Sequence, residues 1–276
     1  MQRSPWTAGA VIPQAWCWTP EDSMRCRCKP SPLMSAIRKQ PFWSRGRMSR
    51  MSTTCATLRP QQEIPFCGHA TIAAAVALVE RSPADELIFH TPAGFVSVAT
   101  SVREDGELVA EMTSVAPRTA EPEHELVSAA LQALRWSADD LDPEYPVLLA
   151  NAGSEHLVLV TKTRLRLADL DYDFNALAKL MRDHALVTLQ LIWPESKKRY
   201  HSRNPFAGSG VVEDPATGAA AAAFGGYLRE LGKIGETAAF TIIQGVDMGC
   251  PSKIEVSVIG GEPGVRVTGA AHRIDG

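Results

Sequence analysis

The chain has 276 residues, 45% of them hydrophobic and 21% charged, with a formal net charge of −3. That length suits one large or two ordinary domains of ~100–200 residues and is ample for a sizeable core. No apolar run approaches the ~20 residues of a membrane span, and the opening lacks the basic-then-apolar order of a secretory signal, so a cytoplasmic address and no membrane partner are expected.

Residues 1–59 stand apart. They carry ten Lys or Arg against two acids, a local charge of +8, whereas residues 60–276 carry eighteen basic and twenty-nine acidic residues, or −11. Four of the six Cys and four of the six Trp also fall before residue 60. Neither period-2 nor period-3.6 apolar spacing runs through the segment, and prolines at 5, 13, 20, 30, 32 and 41 interrupt it. A basic, Trp-containing arm invites a nucleic-acid reading, but no fold signature surrounds the charges. Cys26-Arg27-Cys28 has no partner Cys at zinc-finger spacing and no His nearby, so neither metal nor nucleic acid is expected.

From Glu63 the pattern is that of a folded protein. Ile64 to Phe66 reads as the end of a strand, Thr71 to Val79 as a buried helix and Glu86 to His90 as a strand. Gly94 to Val102 and Gly106 to Met112 form a hairpin pattern with Asp105-Gly106 at its turn. Pro117 to Pro122 resembles a linker, which puts a domain boundary near residue 117; a helix from Pro122 to Trp136 follows. Strands are then expected at Val147 to Ala150, His156 to Thr161 and Val187 to Trp193, with an amphipathic helix from Phe174 to His184. Tyr200 to Phe206 leads into a loop, Val211 to Gly218, and an alanine-rich helix. Strands at Ala239 to Gln244, Lys253 to Ile259 and Gly264 to Thr268 close the chain. The simplest architecture is an α+β fold of two similar lobes, 60–116 and 117–276, each with strands around one apolar helix. The last strand region has the option of returning to the first lobe.

Two stretches share one design. Val211-Val212-Glu213-Asp214-Pro215-Ala216-Thr217-Gly218 runs into Ala219 to Ala223, and Pro65-Phe66-Cys67-Gly68-His69-Ala70-Thr71 runs into Ala73 to Val79. Each delivers polar groups to the N-terminus of an apolar helix, where unpaired N–H groups and a partial positive charge suit a substrate carboxylate. Asp214 is the first candidate for acid/base chemistry, although Glu213 and Asp214 could equally be helix caps. His69 gains weight from the adjacent Gly68, which permits close backbone approach. Two such helix starts facing one cleft would hold a carboxylate between an imidazole and an acid. Cys67 at a helix start has the setting of a lowered thiol pKa, but two-base thiol racemisation needs a second Cys in the other loop, and there is none. His156 and Arg203 are weaker candidates for contact with substrate, Arg203 because guanidinium binds carboxylate bidentately. Gly208-Ser209-Gly210 is no phosphate cradle, since no Lys-Ser/Thr follows.

Pro65 to Ala75 and Glu213 to Ala223, together with Gln244-Gly245-Val246-Asp247-Met248-Gly249, closely resemble the PhzF-like isomerases and epimerases of the phenazine-biosynthesis family. The resemblance covers residues ~60–276. It implies the diaminopimelate-epimerase fold, no cofactor and no metal, a small carboxylate-bearing substrate and a homodimer. It matches His69 and Asp214 to active-site positions. Gly68, Ala70 and Thr71 in one loop and Thr217, Gly218 and Ala219 in the other, with His156 and Arg203, are then the expected substrate-binding residues. Ala219 departs from the pattern, since many members carry a serine there. Cys67-Gly68-His69 also resembles the proline-racemase motif, so a racemase of that kind is the enzymatic alternative and a non-catalytic binding protein the other.

The family begins with a strand, a Gly-Asn-Pro-Ala-Gly segment, a helix and then Ser-Glu-Thr-Ala-Phe, whose glutamate is the proton-transfer residue; none of this stands in residues 1–59. The genetic code suggests why. New codons built from the third base of each codon and the first two of the next force Val-Leu-Asp from Trp16-Cys17-Trp18-Thr19 and permit Gly-Asn-Pro-Ala-Gly-Val just ahead of it. In the same frame Ile37 to Trp43 permits Ser-Glu-Thr-Ala-Phe and forces a following Leu, and Thr54 to Arg59 permits Val-Arg-Tyr-Phe-Thr. Three ordered matches in one frame point to a frame-shifted translation of residues from about 10 to 59, with the glutamate falling at the Arg38/Lys39 junction. A chain written this way is expected to be poorly ordered over 1–59 and inactive.

Overall fold

The fold is described from a computed structural model, in full over residues 50–53, 68–91 and 94–271, and at backbone level over 10–12, 16–17, 34–39, 54–58, 63–64 and 272–273. The chain divides into two compact units, Met1–Thr113 with Thr268–Gly276, and Ser114–Val267. Among the described residues no helix is long and apolar enough to cross a membrane.

In the first unit the strands lie in the order Ala10–Ile12, Met34–Lys39, Arg50–Leu58, Glu86–Thr91, Gly94–Val102 and Leu108–Thr113. Arg50–Leu58 runs parallel to Glu86–Thr91, pairing Thr53 with Phe89, and the remaining neighbours are antiparallel. The hairpin stands where its pattern put it. Gly106 at the turn has φ +89°, a region a side chain would strain, and the Glu107 N–H donates to Asp105 Oδ1 at 2.9 Å. Helix α1, Gly68–Val79, begins three residues before the expected Thr71; its Ile72, Ala75 and Val76 are buried with Leu87, Phe89, Val98 and Ala110 of the strands. Apolar alternation did not announce Met34–Lys39 and Arg50–Leu58, because a strand's main-chain pairing needs no particular side chain. The Cys67 reading and those resting on side chains of residues 1–49 lie outside the described residues.

The second unit carries a mixed sheet ordered Ser252–Val258, Ala238–Gln244, Arg199–Phe206, Thr188–Ser196, Glu155–Val160, Leu148–Asn151 and Arg118–Ala120; the strand Val265–Ala270, of which residues 265–267 belong to this unit, lies beside Ser252–Val258. Glu155–Val160 runs parallel to Thr188–Ser196, and Arg199–Phe206 runs parallel to Ala238–Gln244. Helices α2 (His124–Leu134) and α4 (Phe174–Asp183) cover one face; the short helix α3 (Arg164–Ala168), capped by the Thr163 hydroxyl, had no sequence signal strong enough to be expected. Leu157, Leu159, Leu189 and Leu191 point into that core, against Leu126, Leu134, Leu177 and Met181. Alternation therefore turns His156, Val158, Thr188, Gln190 and Ile192 to the opposite face.

Helix α5, Gly218–Glu230, has Ala220 to Leu228 buried without a break. Phe224 packs edge-on to Tyr200 at 5.0 Å and stacks on Tyr227 at 5.5 Å. Its small residues are contact surfaces. A Cβ added at Gly226 would lie 2.2 Å from Pro117 Cβ, and one at Gly225 would lie 2.9 Å from Val265 Cγ1. Helix propensity favours Gly226→Ala by ~1 kcal/mol, but overpacking costs roughly 1–3 kcal/mol or more, and a proline ring cannot rotate away. Gly226→Ala should thus lower the urea midpoint of unfolding; an unchanged or raised midpoint would contradict this packing.

Two expectations are corrected here. Residues 118–120 are an edge strand paired with Leu149 to Asn151, not linker; the prolines at 117 and 122 flank it, where no ladder donor is lost. Val211–Asp214 is also a short strand on Arg199–Phe206, matching Asn204 with Asp214 and Pro205 with Glu213, so the acidic pair is held in a ladder before the chain turns at Pro215.

Candidate active site

In the second unit, strand alternation separates the two acids. Glu213 faces Arg203, whose Nε and Nη2 donate to its carboxylate oxygens at 3.0 and 2.6 Å while Nη1 donates to the Ala168 carbonyl at 2.7 Å. Both side chains are largely buried, 12% and 3% exposed. Burial alone would push the Arg203 guanidinium down, but the hydrogen bonds and charge of Glu213 outweigh it and hold the guanidinium above its ordinary value. The Tyr172 hydroxyl, pushed up to about 12 by burial and then by the Glu213 charge, donates to the Val212 carbonyl at 2.5 Å.

Asp214 points the other way, toward α5, and is 7% exposed. The Thr217 hydroxyl donates to its Oδ2 at 2.7 Å. The Gln244 carboxamide spans the same turn: Oε1 accepts from the Thr217 N–H at 3.1 Å, and Nε2 donates to the Asp214 carbonyl at 2.6 Å and to Thr217 Oγ1 at 3.0 Å. With Thr217 occupied, the first turn of α5 offers the N–H groups of Gly218 and Ala219, which a helix leaves without intrahelical acceptors. Ala219 adds no hydroxyl. Gly245, at φ +76°, lets the backbone behind Gln244 close on the turn, since a Cβ there would lie 2.1 Å from the Cys250 carbonyl and 3.0 Å from that of Pro215.

His156 is fully buried at the start of its strand. Its Nδ1 lies 2.8 Å from Thr188 Oγ1 and its Nε2 3.3 Å from Ser154 Oγ, and desolvation holds the imidazole down at about 3, so it is neutral. Asn204 Nδ2 donates to the same Thr188 hydroxyl at 3.2 Å. In the first unit, Gly68 and His69 are half-buried at the start of α1, and Ala70 and Thr71 are buried behind them.

The structure thus gathers Asp214, Thr217, Gly218 and Ala219 at one helix start, and Gly68, His69, Ala70 and Thr71 at another. Arg203 belongs to an ion pair on the far side of its strand, and His156 to a buried hydrogen-bonded row. Gln244 opens the stretch 244–249, and the sequence alone assigns it no role. The signal was there: Phe240, Ile242 and Gln244 alternate inward, and a glutamine in an inward phase needs partners.

The sheet with apolar central helices is the diaminopimelate-epimerase type of α+β fold, shared with proline racemases. Among solved structures, a PhzF-family phenazine biosynthesis protein of Bacillus anthracis matches with a TM-score of 0.71 at 20% identity, over 81% of this chain and 79% of that one. A probable proline racemase of Agrobacterium radiobacter matches with a TM-score of 0.56 at 16% identity, over 80% and 69%. The chain itself belongs to the phenazine biosynthesis-like PhzC-PhzF family, whose profile covers residues 54–275. It is similar to trans-2,3-dihydro-3-hydroxyanthranilate isomerase of Pseudomonas aeruginosa, 28% identical over 76% of both chains. It is also similar to an uncharacterised isomerase of Mesorhizobium japonicum, 30% identical over 78% of this chain and 76% of that one. It is a member of an isomerase family that acts on small molecules.

Proposed function

We propose that the parent protein moves a proton on a small carboxylate-bearing substrate by acid/base catalysis without a cofactor. The observation that carries this is Asp214, a buried carboxylate fixed at the mouth of an apolar helix by Thr217. Asp214 and His69 are the proton-handling groups present in the chain, and general acid–base transfer by such groups is worth ~10²–10⁴-fold in rate. The N–H groups of Gly218 and Ala219 at the start of α5 receive the carboxylate and the negative charge that develops on proton removal. Thr217 contributes through Asp214. Arg203 and His156, first expected to touch substrate, enter this reading as the groups that hold the Glu213 strand and the neighbouring sheet.

The chain as written lacks the family's glutamate, and the family match begins only at residue 54, close to where the frame argument restores the reading frame. The literal chain is therefore inactive in this reading, and a frame-restored chain active. Both would be incubated in D₂O with small amino and hydroxy acids. Deuterium should enter a substrate carbon beside an activating group with the restored chain alone. Equal incorporation by the literal chain, or a gene sequence whose codons cannot spell the shifted motifs, would overturn the frame argument. The proline-racemase alternative is favoured by Cys67-Gly68-His69 and by the shared fold; loss of activity on alkylating Cys67 would support it.

A further inference from the structure

Asp214 is reached by a directional chain of hydrogen bonds that begins on Gln244. A side-chain amide can usually be turned end for end, but here its orientation follows from two backbone groups: Oε1 faces the Thr217 N–H and Nε2 faces the Asp214 carbonyl. Turning it over would set donor against donor and acceptor against acceptor in a site where Gln244 is 1% exposed. The second Nε2 hydrogen then reaches Thr217 Oγ1 at 3.0 Å. A hydroxyl that accepts there has its own proton free to give, and the neighbour within reach is Asp214 Oδ2 at 2.7 Å.

We propose that Gln244 is a positioning residue for Asp214. Its locked carboxamide sets the rotor of the Thr217 hydroxyl, which commits Asp214 Oδ2 as an acceptor. The carboxylate of Asp214 is thereby held in one orientation, while Thr217 is withdrawn from direct contact with substrate. The proposal rests on Asp214 being the acid/base group, and it adds what orients that carboxylate.

The test needs no turnover. In the full chain, labelled with ¹³C and dissolved in equal parts H₂O and D₂O, a locked hydroxyl exchanges slowly and splits the Thr217 Cβ signal into protonated and deuterated forms. Thr217→Ser should keep a split signal at that position. Gln244→Leu should collapse the Thr217 signal to one averaged line, with exchange faster by about tenfold, the worth of one buried hydrogen bond. Should Gln244→Leu fail to fold, Gln244→Met, of nearly the glutamine's length, carries the same expectation. A merely structural glutamine would lower the melting temperature of these variants and leave the two signals resolved, which would overturn the proposal. A single averaged line in the unaltered chain would do the same. Because the readout is independent of catalysis, its failure leaves the assignment of Asp214 standing, and loss of that assignment leaves the hydroxyl geometry intact.

Discussion

Glu213→Ala should destabilise the chain by about 3–5 kcal/mol, the range for removing one partner of a buried ion pair. The cause is what remains. The Arg203 guanidinium, 12% exposed, would keep its bond to the Ala168 carbonyl but lose both carboxylate acceptors while still charged. It cannot escape by deprotonating, since an arginine stays protonated under any ordinary condition. Glu213→Gln should cost less, because an amide oxygen still accepts one of the two bonds. The paired change Arg203→Met with Glu213→Leu should recover much of the loss, since the penalty lies in the unpaired charge more than in the missing attraction. Urea unfolding of the three variants checks the order. A Glu213→Ala chain as stable as the parent would mean that the ion pair does not hold this strand.

The second large effect depends on pH. An ordinary histidine titrates near 6.5, whereas His156 in the folded chain is held down at about 3 by complete burial. The unfolded chain thus binds a proton below about pH 6.5 that the folded chain refuses, so stability falls as the pH drops from about 6.5 toward 3 and is level below that. At 1.36 kcal/mol for each pH unit, acidification to pH 4 removes about 3 kcal/mol through this one group. Carboxylates that are paired in the fold push in the same direction, so the informative comparison is with His156→Gln, which still reaches Thr188 and takes up no proton. Its stability should vary less steeply between pH 6.5 and 4, by the equivalent of about one proton. Parallel curves for the two chains would show that His156 is not the neutral, buried group described above.

Much of the architecture was legible in the sequence. Period-2 patterns with a Gly-bearing turn gave the hairpin from Gly94, and Leu177, Leu180 and Met181 gave α4 its covered side. What escaped was set by partners distant in the chain. Arg118–Ala120 and Val211–Asp214 are three and four residues long, bordered by prolines or acids, and exist because a neighbouring strand supplies their hydrogen bonds. The site was half legible. Asp214, Thr217 and Gly218 stood out because a carboxylate, a hydroxyl and a glycine before an apolar run can be recognised without coordinates. The partner of Arg203 was not legible, because bidentate geometry is the same for a substrate carboxylate as for Glu213, and it takes the register of the Asn204–Asp214 pair to bring Glu213 to it. Gln244 lies thirty residues beyond its partner and is joined to it by a parallel strand pair, Ser202 with Gln244, which no local pattern encodes.

The central claim is that Asp214 exchanges a proton with substrate. Asp214→Asn tests it most directly, because asparagine preserves the shape and can still accept from Thr217 while losing the acid and base. In the frame-restored chain, with melting temperature as the check on folding, this substitution should slow deuterium incorporation from solvent by ~10²–10⁴-fold. Undiminished incorporation by a folded Asp214→Asn chain would contradict the account.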